Sequence, residues 1–142
     1  MKKMMIFSGC IILVLTSMVF MSYGEMQKVA ISAANLPDLK GKWIGSRVGG
    51  GGTSLNTDLE IFNDSLPIQG KFIFYDVTRP GQRGRTEEID FKGGKINDQG
   101  NLFVKGANVD VELSLYEDGG KKKLEGNYYW MGVRATMSFK KK

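Results

Sequence analysis

The 142-residue chain has 20 basic residues against 15 acidic ones, no histidine and one cysteine, at position 10. The side chains most used for nucleophilic, general-base and transition-metal chemistry near neutral pH are therefore absent from residues 11–142. The length is that of one domain, and the charge balance is too mild to call for a nucleic-acid partner.

Lys2 and Lys3 precede an almost unbroken apolar run over residues 4–20, and Ser22 and Gly24 put small residues at both positions a signal peptidase reads. Residues 1–24 thus read as a cleaved N-terminal signal peptide. The expected location is secreted or periplasmic, with no stable membrane span after cleavage. Two rival readings stand beside this one. The apolar run is long enough to act as an uncleaved anchor. Ser8-Gly9-Cys10 resembles the end of a lipobox, but apolar sequence continues past the cysteine, where a lipobox would close. If Cys10 leaves with the signal, no disulfide is available and stability must come from a packed core.

Residues 25–40 form a lead-in. The spacing predicts a short helix over residues 29–34, ended by Asn35-Leu36-Pro37-Asp38, because the residue before a proline is pushed away from helical angles. Residues 41–142 form the single domain, and there the period changes to two. After a first strand over residues 42–48, Leu55, Thr57, Leu59 and Ile61 alternate with Asn56, Asp58 and Glu60. A turn over residues 63–67 leads to a strand over 70–78 that is apolar on both faces, with Phe72 and Phe74 on one side. The polar loop over 79–85 holds three arginines. A strand over 86–92 turns Ile89 and Phe91 inward, and Gly93-Gly94 marks a bulge or turn.

Asn97-Asp98-Gln99-Gly100 predicts a hairpin turn before Leu102. Val109, Val111, Leu113 and Leu115 alternate with polar residues, as do Val133, Ala135, Met137 and Phe139, and between them a strand returns over 124–130. About eight strands with short connections leave no room for crossover helices, so neighbours pair antiparallel. The expected fold is all-β, an antiparallel up-and-down β-barrel, because closure removes exposed strand edges. A β-sandwich or an open curved sheet is the alternative.

No Ser-His or Cys-His pair exists in the exported chain, and no calcium-loop spacing is present, so the expectation is no enzyme, no catalytic residues, no metal and no cofactor. Glu88 and Asp90 share a strand face directed at solvent. Residues 49–52 are four glycines leading from strand to strand without a lysine, a mobile mouth loop rather than a phosphate loop. Asn63-Asp64-Ser65 is a formal glycosylation sequon. Two lysine runs, 121–123 and 140–142, read as solvated turns and ends.

Gly41-Lys42-Trp43 at the start of the first strand, with the strand count, resembles the calycin superfamily of lipocalins, avidins and fatty-acid-binding proteins. The resemblance implies that Trp43 packs across the closed base of the barrel with an arginine from the last strand against it, for which Arg134 is the candidate. The lipocalin middle motif and C-terminal helix and the biotin-contacting pattern of avidins have no counterpart here, so no ligand is carried over. The expected function is binding of a small apolar or amphipathic ligand inside the barrel. Phe72, Phe74, Tyr128 and Trp130 line the interior, Trp43 closes the base, and residues 49–52 gate the mouth. The other class is a surface interaction protein with a solid core: an inhibitor, adhesin or envelope partner of unknown identity. An open pocket favours the first, and a filled core with an exposed apolar patch the second.

Overall fold

The computed structural model describes residues 25–78, 81, 84–106 and 108–142. The expected signal peptide with its two rival readings, and most of the arginine loop, lie outside the described residues. Nine strands follow in chain order: β1 (Gln27–Val29), β2 (Gly41–Val48), β3 (Ser54–Ile61), β4 (Ile68–Val77), β5 (Arg85–Ile96), β6 (Leu102–Lys105), β7 (Val109–Asp118), β8 (Lys121–Trp130) and β9 (Val133–Lys141). Strands β2 to β9 pair antiparallel with their neighbours in sequence, and β9 pairs back onto β2 through Trp43 opposite Lys141 to Val48 opposite Thr136. The result is the closed eight-stranded antiparallel barrel that the alternation predicts, plus one extra strand.

The helix expected over residues 29–34 does not form: Val29 ends the extra strand, residues 30–32 are irregular and 33–35 are a turn. Residues 27–29 are extended and pair with β7, Gln27 opposite Glu117 and Val29 opposite Leu115. β6 is only four residues long and pairs with β7 from Leu102 opposite Leu113 to Lys105 opposite Asp110. It leaves the rest of that edge of β7 bare, and unpaired ladder groups in a barrel wall are costly. β1 occupies that stretch. Its docking continues in the bond from the Ile31 backbone N–H to the Gly100 carbonyl at 2.8 Å. Gly100 has φ of 73°, and a Cβ there would come within 2.7 Å of the Ala30 Cβ, so both the turn and the close approach need glycine. The single helical turn in the lead-in is a 3-10 helix further on, Leu36–Leu39, begun by Pro37.

The inward faces make one apolar core. Leu39, Trp43, Leu59, Ile68, Leu102, Leu113, Leu115, Leu124 and Phe139 have no exposed surface. Phe72 sits at the centre of a cluster of rings, with centroids 5.3 Å from Phe91, 6.1 Å from Phe74 and 6.3 Å from Phe139. Bulges bend β4 and β5 against each other, one at the positive-φ residue Asp76 and one at Gly93-Gly94. On β8, a Cβ at Gly126 would lie 1.9 Å from the Glu112 carbonyl oxygen, so the wall closes on itself only because that side chain is missing.

Outside the barrel, Glu112 accepts bonds from the amides of Asn97 and Asn101, each at 2.8 Å, and Ser114 donates to Asn101 at 2.9 Å. The Asn97 carbonyl oxygen meanwhile accepts from the backbone of Gln99 and Asn101, which holds the β5–β6 turn. The two asparagine amides are the main reason the Glu112 carboxyl is held below its ordinary pKa.

Three outcomes follow. Trp43→Ala should cost about 3–5 kcal/mol in urea unfolding, the range for deleting a buried aromatic. Gly126→Ala should cost about 1–3 kcal/mol or more, as forced overpacking does. Because the folded-state pKa of Glu112 is depressed, its contribution is present above the unfolded-state value of about 4.5 and is lost as pH falls through the lower folded value. Glu112→Gln should therefore flatten the acid limb of a stability–pH curve.

Candidate functional site

The barrel has two different ends. At one, the 3-10 helix lies across the opening, with Leu36 and Leu39 buried beneath it. Trp43 is 0% exposed, and its indole N–H donates to the Leu39 carbonyl at 2.8 Å, which ties the helix to β2. The cation over this ring is Lys141, whose Nζ is 5.3 Å from the ring centroid and donates to the Asp38 carbonyl. Arg134 is elsewhere: it stacks at 5.9 Å on Tyr129, on the outer face near the other end. The base is thus built with a basic residue on a tryptophan, but from the far end of β9. Burial lowers the Lys141 pKa, nearby Asp38 raises it, and Lys122 adds to the lowering.

The opposite end carries the connections β2–β3, β4–β5, β6–β7 and β8–β9. Residues 49–52 form a turn there, closed by a bond from the Gly52 N–H to the Gly49 carbonyl at 3.0 Å, and a Cβ on any of the four would meet nothing within 4 Å. Half-buried Leu55, Val77, Ile89, Val109 and Tyr128 surround the mouth. The β8–β9 hairpin projects beyond it through a two-residue turn at Met131 and Gly132, both at positive φ. Trp130 is 41% exposed, Val133 56% and Met131 77%.

Arg47 forms the floor of this mouth. It lies two alternations from Trp43 on the inner face of β2 and is only 6% exposed. Its position follows from the wall. β3 and β4 last pair at Thr57 opposite Phe74, and the carbonyls of Asn56 and Tyr75 stand one residue beyond that end of the ladder. Arg47 Nη1 donates to the Asn56 carbonyl at 2.8 Å and to the Thr57 hydroxyl at 2.7 Å, and Nη2 donates to the Tyr75 carbonyl at 2.8 Å. The guanidinium stacks 5.2 Å over Phe74, whose ring is 6.2 Å from Tyr128. A guanidinium has five N–H donors. Asn56, Thr57 and Tyr75 take three of them, and the Tyr128 side chain is a further hydrogen-bond partner of the guanidinium. Tyr128, by charge and by hydrogen bond, and Asp76, by charge, favour the cation, and among the described residues no carboxylate reaches ion-pair distance. Desolvation lowers the Arg47 pKa, yet it remains a cation.

The five aromatic residues expected to line a ligand site are therefore split. Phe72, Phe74 and Tyr128 form one continuous stack, Trp43 lies sealed at the base and Trp130 stands at the rim. Sequence reasoning missed Arg47, although its signal was present: a charged residue in the same inward register as Trp43 on one strand. Glu88 and Asp90 are exposed as expected, with Lys71 paired to Glu88 at 3.2 Å. The Asn63 side chain is committed to its turn: it donates to the carbonyls of Ser65 and Pro67 and accepts from the Gln69 N–H. Among the described residues, no group of three or more acidic, histidine or cysteine side chains could hold a metal, and no helix is long and apolar enough to cross a membrane. Comparison with protein-family models, curated proteins and solved structures finds no match.

Replacing Arg47 with methionine keeps the bulk but leaves two carbonyls and a hydroxyl without their donor. Calorimetry should show a loss of about 1–3 kcal/mol, and Arg47→Lys should not restore it, because one ammonium cannot span both strands.

Proposed function

We propose that this is an exported, non-enzymatic barrel that holds an amphipathic anion at its mouth, the charged head on Arg47 and the apolar part against Tyr128, Trp130 and Val133. The observation that carries the reading is the buried Arg47 cation, held by carbonyls and hydroxyls with no carboxylate partner among the described residues. A buried cation without a counter-charge is unfavourable, and a carboxylate or similar head would relieve it. The packed rings from Phe72 to Phe139 and the sealed Trp43 restrict such a ligand to the upper barrel, so Phe72 and Trp43 support the site from below. The Gly41-x-Trp43 start and the capping helix beneath the indole support a calycin-like kinship.

The test is a titration with dodecanoate and with uncharged dodecanol, read by Trp130 emission and melting temperature. Dodecanoate should bind, and dodecanol at least about tenfold more weakly, the difference expected for a charge-assisted hydrogen bond. Trp130→Ala should weaken both, and Arg47→Met should erase the difference between them. Equal binding of the two probes, or no response to either, overturns the reading. A second reading, a surface interaction protein with a solid core, is favoured by the exposed hairpin tip at Trp130, Met131 and Val133. Silence with both amphiphiles would favour that surface instead.

A further inference from the structure

Two lysine runs that lie apart in the sequence meet at the closed end. The β8–β9 register sets Lys123 opposite Lys140, so residues 121–123 at the start of β8 converge with residues 140–142 at the end of β9. Between them is a groove of about 530 Å³ lined by Met26, Gly120, Lys121, Lys122, Lys140, Lys141 and Lys142. Five of its seven lining residues are cationic and none is acidic. Asp38 at 3.0 Å and Glu117 at 2.6 Å are both committed to Lys122, and Glu125 at 2.5 Å to Lys123. Lys141 is held over Trp43 and against the Asp38 carbonyl. Among the described residues, Lys121, Lys140 and Lys142 have no ion pair or side-chain hydrogen bond.

We infer that this groove is a binding site for a phosphate-rich anion, one that presents two or more phosphoryl groups together. Several like charges facing one cleft repel one another and focus a positive potential there. A multiply charged anion relieves that repulsion. Lysine ammoniums are point charges without the fork that selects planar carboxylates, and they suit phosphoryl oxygens approaching from several directions. The volume exceeds what one phosphate fills, and the cations stand on both sides of it. A soluble polyphosphate and a cluster of lipid headgroups share this chemistry.

The experiment titrates the full exported chain with sodium tripolyphosphate and, separately, with phosphatidylcholine vesicles with and without phosphatidylglycerol. Calorimetry reports binding. Emission of Trp43 in a Trp130→Phe background reports the site, because an anion that draws on Lys141 changes the charge over the indole. Lys121→Gln/Lys140→Gln/Lys142→Gln removes the three unpaired cations, and its melting temperature should not fall, since none of them has a folded-state partner to lose. At physiological salt, tripolyphosphate affinity should drop at least tenfold in the triple variant. Lys92→Gln/Lys105→Gln, outside the groove, should leave it unchanged. Vesicle binding that needs phosphatidylglycerol and is lost in the triple variant, without tripolyphosphate binding, assigns the same site to headgroups. Undiminished binding by the triple variant, equal loss in the Lys92/Lys105 variant, or no binding to either probe overturns the inference.

Discussion

Trp43 is held on two sides at once. Its N–H is bonded to the carbonyl that ends the 3-10 helix, and Lys141 covers its ring from the last strand. A buried indole needs a partner for its one polar hydrogen, and only a backbone carbonyl brought across the barrel end supplies it here. That requirement fixes the lead-in over the base, and with it the point where β2 begins and β9 ends. The apolar rings stack upward from this floor to Phe72 and Phe74. The volume at the closed end is spent on side chains, which is why the two proposed sites lie at the mouth and on the outer surface.

Closure without disulfides puts unusual weight on local repairs. β6 is too short to cover β7, and β1 completes the edge. β3 and β4 stop pairing above Thr57, and Arg47 bridges the carbonyls of Asn56 and Tyr75 there. Gly126 lets β8 fold against β7. Each repair sits where a ladder would otherwise leave donors or acceptors bare or where backbones would collide. Arg47 differs from the others because it brings a full charge into a low-dielectric place, where a neutral donor could have served the carbonyls alone. The lysine groove raises the same issue on the outside of the opposite end, where the charges are solvated and their cost is mutual repulsion rather than burial.

Much of this fold was legible in the sequence because strand alternation is a local signal. Leu55-x-Thr57-x-Leu59-x-Ile61 and Val109-x-Val111-x-Leu113-x-Leu115 declare their inward faces without reference to any partner. What was not legible depends on register. Nothing local says that residues 27–29 complete β7, and the helical composition of residues 29–34 gave way once Val29 was drawn into that edge. The place of Lys141 over Trp43, where an arginine at position 134 was expected, follows from which end of β9 lies at the base. The convergence of the two lysine runs follows from Lys123 pairing with Lys140. Arg47 is an intermediate case: its inward position could be counted from Trp43, but its role appears only once β3 and β4 are seen to part.

The sealed base is the claim on which the placement of both proposed sites rests, and the chain's two tryptophans, one at each end, make it directly measurable. In a Trp130→Phe variant the remaining Trp43 should emit in the blue and resist quenching by acrylamide until the protein unfolds. In the parent protein, quenching should then be confined to the Trp130 component. Native-state quenching of Trp43 comparable to that of Trp130 would mean that the base is open, and the account of a filled barrel with its chemistry at the mouth and surface would be contradicted.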